Sequence, residues 1–265
     1  MILAFLLSLL LATGQSSPGY ASYERANALF VAQQFPECLE EIEKALQLDP
    51  GLVPALTLKA KLAIGLNRFD VARQALERAL KAAPSSWYVH FLMGFQYHLQ
   101  NELQLALPEL EQARRLNPKD AKAPLYLGLT HESLGETEKA AACYREAIRI
   151  EEAAGKLQAD TLLTWARFLL VTGRLEECEK LIERAVKLEP SHRDVHYERA
   201  RLLLRKGDAA GAAREGEAAL RLPATGITGR QIRYLLVRAY GLGGDEKRAA
   251  GHAVALREEE SAVKE

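Results

Sequence analysis

The chain has 265 residues, and its 35 lysines and arginines balance 35 aspartates and glutamates to a formal net charge of +0. That balance argues against nucleic acid as the main partner, because a phosphate backbone selects a basic surplus. The 48% hydrophobic content leans on alanine and leucine, both strong helix formers, and strand-like alternation is scarce, so the expected fold is nearly all-α.

Residues Met1–Ala12, MILAFLLSLLLA, form an apolar run, and the first charged side chain is Glu24. A membrane span needs about 20 apolar residues, so this run suits the core of a secretory signal peptide instead. Small residues at Ala12, Thr13 and Gly14 offer cleavage before Gln15. Residues 1–14 are therefore expected to be a signal peptide, which would place the chain outside the cytoplasm, periplasmic or secreted. An uncleaved N-terminal anchor is the alternative. Residues 15–18 read as a linker.

From Gly19 onward one pattern repeats. Small residues recur at Ala26, Ala60, Gly94, Gly128, Ala166 and Ala200, in steps of 34, 34, 34, 38 and 34. A second column runs Cys38, Ala72, Ala106, Ala140, Cys178, Ala212 and Ala249, and a third Ala45, Ala79, Ala113, Ala147, Ala185 and Ala219. Between the first two columns lies a turn column: Gln33, Asn67, Asn101, Gly135, Gly173, Gly207 and Gly244. Asn and Gly accept a left-handed helix terminus, so each unit reads as helix, tight turn, helix. Pro50, Pro84, Pro118 and Pro190 then stop the second helix, since proline cannot continue it.

Units one to four occupy 19–152 and units five to seven 159–257. Between them Glu152 replaces the proline and four residues are added, predicting an irregular junction at 153–158. The sixth unit's second helix, Asp208–Leu220, holds Gly211 and Gly216, which predicts a thin interface with the last unit that Gly216→Leu would fill. A charged tail over 258–265 is expected to leave the helix.

These columns resemble the tetratricopeptide repeat family over 19–257. The resemblance is carried by Met93-Gly94, Tyr97, Ala106, Leu110, Ala113 and Pro118, by Leu127-Gly128, Ala140, Tyr144 and Ala147, and by Trp165-Ala166, Leu169, Gly173, Cys178, Ile182, Ala185 and Pro190. It implies an all-α, right-handed superhelical solenoid of about seven repeats, whose first helices line a concave groove for a protein or peptide. On that face the early units would present Tyr20, Tyr23, Asn27, Phe30, Lys61, Tyr88, Phe91, Phe95 and His98. The later units would present Arg167, Arg201 and Arg238 in one column, beside Tyr197 and Tyr234, suited to an acidic segment. The aromatics would otherwise pack on neighbouring units, and the arginines would otherwise pair with Asp160, Asp194 or Glu198. Family members that grip a C-terminal carboxylate use a Lys, Asn and Arg set, of which only Asn27 corresponds here, so that activity is not expected.

No phosphate loop, nucleophile elbow or paired-cysteine metal motif occurs. His192 and His196, four apart, lack a third ligand, and His131 falls in a packing column. Cys38, Cys143 and Cys178 read as small buried thiols, with a Cys143–Cys178 bridge as the alternative. Glu40-Glu41 and Glu258–Glu260 read as solvated faces. The chain is thus expected to be a binding scaffold without enzyme activity, metal or cofactor, helping to assemble a complex. A membrane-tethered helper of an envelope enzyme or secretion machine, and a glycan-binding factor, are the alternatives.

Overall fold

A computed structural model describes residues 19–262; the signal-peptide and linker readings on residues 1–18 lie outside the described residues, as do the last three positions. The described residues form fourteen α-helices and no strand. They pair as α1 (Tyr20–Val31) with α2 (Phe35–Leu48), α3 (Val53–Gly65) with α4 (Phe69–Ala82), and α5 (Trp87–Leu99) with α6 (Leu103–Leu116). The fourth repeat supplies α7 (Lys122–Ser133) and α8 (Thr137–Ala153), the fifth α9 (Ala159–Val171) and α10 (Leu175–Leu188). Then come α11 (Arg193–Arg205) with α12 (Ala209–Arg221), and α13 (Gly229–Leu242) with α14 (Glu246–Ala262). None of these is long and apolar enough to cross a membrane.

The turn column behaves as its chemistry requires. Gln33, Asn67 and Asn101 have φ of 58°, 55° and 59°, and Gly135, Gly173, Gly207 and Gly244 are also left-handed. In each of the first three, the next residue's N–H reaches back to close the helix end: Gln34 to the Leu29 carbonyl at 2.9 Å, Arg68 to Ala63 at 2.8 Å, Glu102 to Tyr97 at 2.8 Å. Gln33 holds this conformation despite its Cβ, a shape that glycine takes at less cost. The small columns mark close helix approach: Ala26, Ala45, Ala60, Ala72, Ala79, Ala106 and Ala113 are fully buried. Between them sit large core side chains, Ile42, Leu76, Leu110, Tyr144 and Ile182.

The chain divides into two compact units, Met1–Glu136 and Thr137–Glu265, at the turn inside the fourth repeat. In the first, each helix packs on the next, and the first helices also touch one another: α1 on α3, α3 on α5, α5 on α7. In the second unit α9 touches α11 and α11 touches α13 in the same way, while successive helices pack from α8 onward. Each unit therefore holds a continuous layer of first helices, backed by second helices.

Three sequence expectations meet specific geometry. With Glu152 in place of proline, α8 runs 17 residues, and Gly155 turns the chain at φ 63°. Glu151 then accepts hydrogen bonds from the Gln158 N–H at 3.1 Å and the Thr161 hydroxyl at 2.8 Å, tying the junction to α9. The thin interface at α12 is corrected. A Cβ on Gly216 would stand 2.8 Å from Leu236 Cδ2 and 3.2 Å from Leu235 Cδ2, so α13 already fills that space. At Gly211 a Cβ would strike Asp208, whose carboxylate caps α12 by accepting the Gly211 N–H at 2.7 Å. The charged tail is corrected too: α14 continues through Ala262, and Glu259 accepts from Arg233 Nε of α13 at 2.9 Å.

Candidate binding groove

Helix α5, WYVHFLMGFQYHL, carries aromatic side chains on two faces. Gly94 sets which face is which. A Cβ there would lie 2.6 Å from Leu110 Cγ and 3.0 Å from its backbone N, so only glycine lets α5 settle onto α6. The neighbouring face then projects Tyr88, Phe91 and Phe95, spaced three and four residues apart and so stacked along the helix. Tyr88 stacks on Phe91 with centroids 6.2 Å apart, and Phe91 on Phe95 at 6.1 Å with an interplanar angle of 4°. Tyr126 of α7 meets Phe91 and Phe95 edge-on at 5.6 and 4.9 Å.

Around this stack lies a cavity of about 480 Å³, also lined by Phe30, Lys61, Ile64, Leu92, Leu99 and Lys122. Its charged side chains are the two lysines alone. Lys61 Nζ stands 4.6 Å from the Phe30 ring centre, and Lys122 Nζ lies 5.8 Å from that of Tyr88 and 6.0 Å from Trp87. Neither ammonium is paired with a carboxylate among the described residues. Burial pushes the Tyr88 phenol above its ordinary range, with smaller contributions from Tyr23 and Asp120, and burial does the same to Tyr126. Both remain neutral hydroxyls on an apolar wall.

His98 supports this wall from behind. The Thr130 hydroxyl donates to the Tyr126 carbonyl at 2.7 Å, so it accepts from His98 Nδ1 at 3.0 Å. Burial holds the His98 imidazole below its usual pKa, in the neutral form this bond uses. Of the early-unit residues singled out in the sequence, Phe30, Lys61, Tyr88, Phe91 and Phe95 thus converge on one cavity. Tyr20 and Tyr23 pair with each other at 5.4 Å outside its lining, and Asn27 is exposed. Sequence reasoning missed Lys122, which stands 34 residues after Tyr88 in the same column, and Tyr126, in the column of Leu92.

The arginine column is organised differently. Glu198, only 1% exposed, accepts from Arg167 Nε and from an Arg201 terminal nitrogen, both at 2.7 Å. Arg167 also lies 3.9 Å from Asp194. Two of the three guanidinium groups are therefore paired within the fold, sharing the Glu198 carboxylate. Arg238 is exposed and borders a pocket of about 180 Å³ with Arg201, Arg205 and Leu170. Arg201 covers Tyr197 at 6.0 Å, and Arg230 covers the exposed Tyr234 at 5.7 Å.

His196 is likewise committed to structure. His196 Nδ1 meets Glu215 at 2.7 Å and its Nε2 meets the Pro190 carbonyl at 2.9 Å, leaving no lone pair free for a metal shared with His192. The same clamp recurs three repeats earlier, where His90 joins Glu109 at 2.6 Å and the Pro84 carbonyl at 3.0 Å. The three cysteines are buried thiols, without the Cys143–Cys178 bridge.

Comparison with known proteins gives a consistent picture. The sequence profile of the tetratricopeptide repeat family matches residues 57–94, 97–156 and 163–227. No curated protein sequence matches significantly. Among solved structures, a chain of the APC/C hetero-tetramer Cut9–Hcn1 aligns with a TM-score of 0.71 at 17% identity, over 89% of this chain and 45% of that one. This chain thus spans less than half the length of that relative. PilF of Pseudomonas aeruginosa aligns with a TM-score of 0.66 at 17% identity, over 78% of this chain and 90% of its own. YrrB, described as having an unusual peptide-binding site, aligns with a TM-score of 0.51 at 18% identity, over 76% and 96%. At such identities the likeness is one of fold.

Proposed function

This chain belongs to the tetratricopeptide repeat family, and on that premise we propose that it is an exported scaffold that holds a protein partner in the groove of its first helices and helps assemble a complex. One observation carries the reading: the first helices of four successive repeats converge on a cavity of about 480 Å³ walled by Phe30, Tyr88, Phe91, Phe95 and Tyr126. Aromatic side chains held rigid by stacking lose little freedom on binding, and such residues dominate interface energetics. The scaffold works by geometry, presenting this wall on helices locked by their small columns. The apolar run before Glu24 supports export, and retention of that run would make the chain a membrane-tethered helper instead. A glycan in the groove finds ring faces but few polar groups to fix its hydroxyls, so a peptide suits the lining better.

Site-specific photo-crosslinking tests this. A crosslinking residue at Phe95 is expected to capture a discrete protein adduct, whereas one at Leu48, exposed on the second-helix layer, is not. Equal capture at both positions would remove the case for the groove. Fractionation with N-terminal sequencing of the mature chain separates export from tethering.

A further inference from the structure

We propose that the groove selects a short extended peptide segment in which a bulky apolar side chain is flanked on both sides by carboxylates. This rests on reading the cavity as a peptide site, and adds what the peptide must carry. The stack of Tyr88, Phe91 and Phe95 on α5, closed by Tyr126, offers an apolar floor for the anchor side chain. Lys61 rises from α3 and Lys122 from α7, and both of those helices touch α5, one on each side. The lining therefore reads cation, aromatic floor, cation.

Elsewhere on the same unit some cations meet carboxylates: Arg25 with Glu41 at 2.8 Å, Lys59 with Glu43 at 2.5 Å, Arg114 with Glu111 at 2.7 Å. The two lysines of the groove instead lean over ring faces, which hold an ammonium in place while leaving its outer hydrogens free to donate. A lining of one sign favours an acidic segment and rejects a basic one. Two helix spacings of about 8–10 Å each separate α3 from α7. An extended chain crosses that span in roughly five or six residues, which sets the separation of the two acidic positions. The cavity is of the size that admits side chains, not a whole helix. Stacked rings with cations also suit single-stranded nucleic acid, yet two lysines make no continuous track for phosphates.

The test is selection of a random twelve-residue peptide library on the purified 265-residue chain, followed by titration of the enriched synthetic peptide. Enriched sequences are expected to place Phe, Trp or Leu between Asp or Glu residues. The double variant Lys61→Glu/Lys122→Glu, and a peptide with Gln in place of its acids, should each weaken binding at least about tenfold. Phe95→Ala should weaken it as well, with circular dichroism and melting curves confirming that each variant is folded. Lys61→Gln/Lys122→Gln, which removes charge without reversing it, serves as the milder control and should show a smaller loss. If enriched peptides lack acids and both lysine variants bind normally while Phe95→Ala fails, the carboxylate inference falls and the groove reading stands. If Phe95→Ala also binds normally, the groove reading itself falls. Displacement of the peptide by an oligothymidylate at equal concentration would overturn the peptide assignment in favour of nucleic acid.

Discussion

At Gly216 the missing side chain is replaced from outside the helix. Leu235 and Leu236 of α13 occupy the volume that Ile42, Leu76, Leu110, Tyr144 and Ile182 fill in the other repeats. Gly216→Leu should therefore lower the melting temperature. Overpacking costs about 1–3 kcal/mol, while the better helix former returns no more than about 1 kcal/mol. Equilibrium denaturation measures the balance, and a gain in stability would show that the leucines can yield. Cys178 gives a pH prediction at the same scale. Its thiol donates to the Ala166 carbonyl at 3.3 Å, and burial first, then the charge of Glu198, pushes its pKa from 9.0 up to about 12. The unfolded chain releases this proton near 9, whereas the folded chain keeps it. The contribution of Cys178 to stability is thus whole below pH 9 and drains away as pH rises toward 12. Cys178→Ala, which restores the alanine of Ala72, Ala106 and Ala140, should flatten that alkaline loss in denaturant melts taken from pH 8 to 11. An unchanged slope would mean another group governs it.

Gly207 and Gly244 stand 37 residues apart where the period is 34, and the loop these three extra residues make between α12 and α13 is pinned by the first turn of α11. Arg193 donates from Nε to the Leu222 carbonyl at 3.0 Å and from a terminal nitrogen to Ile227 at 3.3 Å, with a further bond to Leu222. Asp194 accepts from the Ile227 N–H at 3.2 Å and from the Thr225 hydroxyl. Arg193→Ala strips charged donors from one buried and one part-buried carbonyl and should cost about 2–3 kcal/mol, with the loss localised to α13 and α14 by limited proteolysis. This device shows where sequence reasoning runs out. The small-residue columns and the left-handed turns were readable because each such residue decides its own local geometry. The filling of Gly216 was not, because it depends on how far the inserted loop carries α13. The same holds for Arg167 and Arg201: their column was visible, but Glu198 meets both across a helix turn and a repeat, a contact that only the stacked array creates. In the groove, Phe30, Lys61 and the α5 stack were legible as one helical face, whereas the cavity they enclose required α7.

An array in which each helix touches its near neighbours has no single core, so stability varies along it. Helix α14 packs mainly on α13, with His252 also meeting Glu217 of α12 at 3.0 Å, and Leu256 is its one buried side chain among those described. Hydrogen exchange should therefore open α14 well before α5 and α6, and uniform protection across these helices would contradict the nearest-neighbour description. The aromatic stack has one more consequence, which is optical. Of the two tryptophans, Trp87 lies in the first compact unit, edge-on to Tyr88 at 5.4 Å and under Lys122, while Trp165 lies in the second. A carboxylate drawing Lys122 off the indole would change the emission of Trp87. With Trp165→Phe as background, the protein then carries its own fluorescent gauge of groove occupancy, requiring no label on either chain or ligand.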